Sequence, residues 1–196
     1  MSTMILGLVM FLGMHSASIF FPNARNSTVA KIGEPGWKII YSIISLAGVV
    51  LLVQGYGDMR ASPDAVLLWN PPVWTRHLAS LLMLVSFISL VAAFVPGNAI
   101  KARVGHPMLI ATKTWALAHL LANGRLGEVV LFGAILVWAV VDFIINRRRD
   151  RASGKTYPQG PMAKTAITVV VGIAAWVGFA MWAHLHLIGV SPFGHG

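Results

Sequence analysis

The sequence predicts an all-α fold: a polytopic membrane bundle of six transmembrane helices, forming one domain over residues 1–196. Three observations predict it. The chain is 57% hydrophobic and 11% charged, with a mean hydropathy of +0.74, too apolar for a soluble domain of its length. Six segments approach the roughly 20 apolar residues needed to cross about 30 Å of hydrocarbon. The basic residues between those segments are dense in alternate loops, as the positive-inside rule requires of a multi-pass chain.

The first span is expected over residues 4–21. Met1–Ser2–Thr3 lacks the basic stretch that precedes a cleaved leader, so the run is read as a retained span. His15 lies in its middle, beside Gly13, Ser16 and Ala17, small residues that admit a neighbouring helix or a flat ligand. Pro22–Asn23 closes it. The second span covers residues 37–56 and gives way to a Gly-rich polar stretch ending in Asp58 and Pro63. The third, residues 73–95, follows Pro71–Pro72, carries Arg76 and His77 near its start, and stops at Pro96–Gly97–Asn98. The fourth, residues 106–122, is the shortest and holds Lys113. In it Thr112, Trp115, Ala116, His119 and Asn123 recur at i, i+3/i+4 spacing and make one polar and aromatic stripe. Asn123–Gly124 separates it from the fifth, residues 126–145. The run 147–161 ends the fifth span, residues 163–188 form the sixth, and the basic segment 147–164 reads as a topology anchor that meets anionic lipid headgroups.

Six crossings divide the loops between two sides. Arg25, Lys31, Lys38, Lys101, Arg103, Arg147, Arg148, Arg149, Arg151, Lys155 and Lys164 fall on one side; Arg60, Arg76 and Arg125 fall on the other. The first group belongs in the cytoplasm, which puts both termini in the periplasm. Charges within the spans need partners, and depth suggests Lys113 with Asp142 and Arg76 with Glu128.

The net charge of +9 is spread through these loops with no basic face or binding motif, which argues against nucleic acid as a partner. The chain has no cysteine, so disulfides, thiolate nucleophiles and Cys-ligated metals are excluded. Seven histidines remain to be explained. His195, in the Gly-rich tail, is read as incidental. His106 and His119 are 13 residues apart, about 20 Å of helical rise, so they cannot share one iron. His184 and His186 point to nearly opposite faces, so at most one of them enters a common site. Two imidazoles from different helices are the usual way a helical bundle holds a six-coordinate b-type haem. His15, His77, His119 and His184 all stay open as ligands on spacing alone.

The block His106–Pro107–Met108–Leu109, continuing through Lys113–Thr114–Trp115–Ala116–Leu117–Ala118–His119–Leu120–Leu121–Ala122–Asn123–Gly124, resembles the central signature of the NnrU family of bacterial inner-membrane proteins. His15–Ser16, Arg76–His77–Leu78, Pro96–Gly97–Asn98 and Trp138–Ala139–Val140–Val141–Asp142 fit the same pattern. The family is linked to nitrite and nitric oxide metabolism in denitrifying bacteria, and it is similar to plant 15-cis-zeta-carotene isomerases, which use haem b with two histidine ligands. What the resemblance implies is haem b held by His15 and His119, with His106 as a further functional histidine. Trp115, Ala116 and Gly13 would line the slot. It also implies redox or isomerase-like chemistry, nitric oxide or a hydrophobic small molecule as ligand, and denitrification membrane proteins as partners. Gln54–Gly55–Tyr56–Gly57 stands where the isomerase carries another histidine.

Two other readings follow from the same residues. Gly105–His106–Pro107 before an apolar span resembles a motif of membrane methyltransferases that use S-adenosylmethionine, with Gly105 in place of that motif's arginine. A non-enzymatic assembly factor for nitric oxide reductase would need no chemistry of its own.

Overall fold

The computed structural model describes residues 1–63 and 65–193, so His195 lies outside the described residues. The helices are α1 (Ser2–Phe20), α2 (Pro22–Ala61), α3 (Val73–Phe94), α4 (Ala99–Val104), α5 (Pro107–Ala122), α6 (Leu126–Ser153), α7 (Met162–Gly178) and, after a π-helical turn over Phe179–Ala183, α8 (His184–Ile188). The all-α fold is as expected. Five helices are long and apolar enough to cross a membrane: α1, α2, α3, α6 and the stretch Met162–Ile188. The remaining expected span, α5, has 16 residues. Its rise of about 24 Å falls short of the hydrocarbon thickness.

The chain divides into two compact units, Met1–Leu68 with Arg125–Ala134, and Trp69–Gly124 with Ile135–Gly196. The first is built on α1 and α2, which touch along a seam of small residues. A Cβ on Gly7 would lie 2.6 Å from the carbonyl oxygen of Gly48, and one on Gly55 would collide with the backbone of Met4. Backbones approach this closely only where side chains are missing, and dispersion over that contact holds membrane helices together. On α2, Ile39, Ile43, Leu46, Val50 and Val53 form a continuous exposed apolar stripe, the face expected of a helix in lipid.

Residues 22–32 were expected to lie outside the spans, and here they are helical. Pro22 occupies the first helical turn, where a missing N–H costs nothing, and Gly33 at φ 77° then breaks the axis before the apolar run begins. In this unit the first turn of α6 is capped by Glu128, which accepts the backbone N–H of Arg125 at 2.9 Å. Glu128 is 4% exposed and lies within electrostatic reach of Tyr56.

In the second unit α3 packs on both α5 and α7. The hydroxyl of Ser86 donates to the carbonyl of Ala111 at 2.8 Å, and Gly172 admits Ile88 so closely that a Cβ there would sit 2.7 Å from its Cα. Lys113 does not stand free in this unit: its ammonium lies 3.6 Å from the centroid of the Phe143 ring, a cation–π contact next to Asp142. Asp142 accepts the side-chain amide of Asn146 one turn on.

Two features depart from the expected loops. Asn98 starts the short helix α4, accepting the N–H of Lys101 at 2.8 Å. The region around 147–161, expected to be loop from its start, remains helical through Ser153, because Arg147–Ser153 holds no glycine or proline and the first breaker is Gly154.

Candidate functional site

Four of the histidines place Nδ1 on a backbone carbonyl: His15, His119 and His186 on the carbonyl four residues back, for His186 that of Trp182 at 2.8 Å, and His184 on one six residues ahead. Nδ1 of His15 lies 2.8 Å from the carbonyl of Phe11, Nδ1 of His119 lies 2.9 Å from that of Trp115, and Nδ1 of His184 lies 2.7 Å from that of Val190. A carbonyl oxygen can only accept, so each Nδ1 is the donor, and the neutral ring carries its lone pair on Nε2. This is the arrangement that orients an imidazole for metal ligation.

Each ring is also braced by an aromatic neighbour. His15 stands 4.1 Å from Phe11 and 5.0 Å from Tyr41 between ring centroids, and His119 stands 4.9 Å from Trp115. Phe179 meets His184 edge-on at 5.8 Å. Beside His15, Gly13 is exposed, with nothing within 4 Å of where a Cβ would stand. Ala116 is fully buried on α5, and Asn123 closes that helix by donating its amide to the carbonyl of His119 at 2.8 Å.

Within the second unit His184 is near enough to His119 for the two imidazoles to interact electrostatically. His77 is exposed near the start of α3, and His186 is exposed with its ring stacked on Trp182 at 4.7 Å. Among the described residues, no group of three or more His, Asp or Glu could hold a metal ion unaided.

His106 is built into a different place. It is the residue before α5, and its Nε2 lies 2.7 Å from Oδ2 of Asp150 on the helical extension of α6. The hydroxyl of Tyr157 donates to the same oxygen at 2.9 Å. Asp150 is 7% exposed, so both donors are needed to hold a carboxylate there. Burial, and then the hydrogen bond with Asp150, push the Tyr157 phenol above its ordinary range, which keeps it a donor at neutral pH.

These residues border a cavity of about 330 Å³, lined by His106, Tyr157, Lys101 and Lys155 among others. Gly105 makes the corner possible. Its φ is 74°, and a Cβ would lie 3.0 Å from both Nη1 of Arg147 and the Tyr157 ring. Asp150 and Tyr157 were not anticipated from the sequence. A signal was present, since Asp142, Asn146 and Asp150 recur every four residues and mark one polar helical face, but it lies across a stretch that reads as loop.

A family model described as NnrU protein matches residues 3–192, nearly the whole chain. No curated protein and no solved structure matches it.

Proposed function

The chain belongs to the NnrU family, and on that premise we propose that it is a haem b protein of the bacterial inner membrane, serving nitrite and nitric oxide metabolism, with His15 and His119 as its axial ligands. The observation that carries the reading is that the two histidines of the family-like motifs, His15 and His119, are part-buried and commit Nδ1–H to a carbonyl one turn back, an anchor that His186 shares only at an exposed position. The open face at Gly13, where a Cβ would meet nothing within 4 Å, suits a flat ligand beside His15. Such a haem supplies one-electron transfer, and with one imidazole released, a binding position for nitric oxide or a substrate double bond. Trp115 and Phe11 brace their histidines. We place both termini in the periplasm, with α5 as a short sixth crossing.

One observation favours a second assignment of the pair. His184 also commits its Nδ1 to a backbone carbonyl, that of Val190 six residues ahead, and lies within electrostatic reach of His119, so it competes with His15 for the second axial position. A reduced-minus-oxidised spectrum of the purified protein tests both. The expected result is a six-coordinate low-spin b-type spectrum in the wild type that is lost in His119→Ala. Conversion to a five-coordinate spectrum in His15→Ala supports the first pair, and the same conversion in His184→Ala supports the second. A haem-supplemented preparation with no Soret band overturns the proposal, and full physiological function in a His15→Ala, His119→Ala double variant would favour an assembly role.

A further inference from the structure

We propose that the cavity beside His106 is a binding site for a phosphate ester, supplied by the headgroup of an anionic phospholipid. This inference is independent of haem. It rests on three features within the second unit: charge, shape and position.

The one carboxylate at the cavity, Asp150, is already satisfied by His106 and Tyr157. Lys155 is within electrostatic reach of that carboxylate as well, but Lys101 and Arg147 add further cations to the same corner. Lys101 gives one N–H to the carbonyl of Ala93 at 3.0 Å, and an ammonium has three. Lys155 lies 5.1 Å from the centroid of the Tyr157 ring, and Arg147 packs its guanidinium against Gly105. The site therefore carries more positive than negative charge. The first turn of α5 opens on the same space through Pro107, Met108 and Leu109, adding the positive end of a 16-residue helix.

Shape argues for an ester rather than a bare ion. About 330 Å³ is roughly ten times the volume of a water molecule in the liquid, room for a phosphate with the atoms esterified to it. The lining is also of two kinds, the cations Lys101 and Lys155 together with the apolar Ala93, Pro107, Met108 and Leu109. Ala93 ends the apolar run of α3 and Leu109 begins that of α5, so the apolar part continues into lipid-facing helix. A molecule with an anionic head and a hydrocarbon tail matches that order.

The segments that build the corner are tied to one another by hydrogen bonds. The N–H of Gly160 donates to the carbonyl of Gly97 at 2.8 Å, and the N–H of Ala99 donates to the hydroxyl of Thr165 at 2.9 Å. The cavity is thus formed before any ligand arrives, which lowers the ordering cost of binding.

The test uses the full chain, delipidated in a neutral detergent, and follows its melting temperature and the lipid retained in native mass spectrometry. Three probes are titrated: short-chain phosphatidylglycerol, phosphatidylcholine of equal chain length, and inorganic phosphate. The expected result is one saturable phosphatidylglycerol per chain, with weaker binding of the other two probes. A Lys101→Ala, Lys155→Ala variant should weaken phosphatidylglycerol about thirtyfold, since each cation near a phosphate contributes about a fivefold factor. Lys31→Ala, Lys38→Ala, which removes two cations of the first unit, should leave it unchanged. Inorganic phosphate binding as tightly as the lipid overturns the lipid source. Equal binding by wild type and the Lys101→Ala, Lys155→Ala variant overturns the site. If that variant melts below the working temperature, Lys155→Gln alone, at an exposed position, gives the same reading with a fivefold effect.

Discussion

Asn98 is fully buried and all its polar capacity is used: its amide donates to the carbonyls of Ala92 and Val95 at 2.9 and 2.5 Å while its oxygen caps α4. Replacing it with alanine strands an N–H and two carbonyls, and Asn98→Ala is expected to cost about 1–2 kcal/mol, read as a lower melting temperature in detergent. Asn98→Ser, which can still cap, should recover part of the loss. Tyr157 offers a pH measurement. Its phenol is held above the usual tyrosine range, so the stabilisation it gives is complete at neutral pH and is lost as pH rises past that range. Ultraviolet difference titration, with Tyr157→Phe as the blank, should show this late-ionising tyrosine, and Asp150→Asn should bring its midpoint down. Single residues of this kind were only partly legible. His15 and His119 were singled out by motif, whereas the partners of His106 depend on a helix running past the point where arginines suggest a loop.

At the level of elements, the α1–α2 pair makes the firmest claim. Its contact depends on missing side chains at Gly7, Gly48 and Gly55, so Gly48→Leu should separate the helices and sharply reduce the yield of folded protein. The same substitution at Gly57, where a Cβ meets nothing within 4 Å, should be tolerated; size-exclusion profiles of the two variants make the comparison. Span positions were legible because hydrocarbon demands a long apolar run, and that demand is written in composition. The ends were less so. Pro22 reads as a breaker but starts a helix, and Arg147–Ser153 reads as loop but continues one, because charge marks the membrane surface without ending a helix.

Across the whole molecule, the lack of cysteine allows a direct test of topology, since a single introduced thiol has no background. With six crossings, Ser62→Cys and Asn123→Cys should react with an impermeant maleimide from the periplasm, while Arg103→Cys and Ser153→Cys should react only after permeabilisation. Arg103 and Asn123 flank α5, so labelling of both from the same side would show that this 16-residue helix does not cross. Basic-loop asymmetry made this arrangement readable in outline; the length of α5 was the part that composition left open.

The π-helical turn over Phe179–Ala183 has a consequence of its own. Such a turn takes about one residue more than an α-turn, so it acts as a phase shift, rotating everything after it by about 100° relative to an uninterrupted helix. His184 is the first residue past that shift, with Phe179 against its ring. The direction in which His184 faces is therefore set by a count of residues rather than by its own side chain. Deleting Ala180 should restore a regular helix and leave His184 facing as it does, because the residue lost is the extra one that the π-turn takes up, with no change in composition at either histidine.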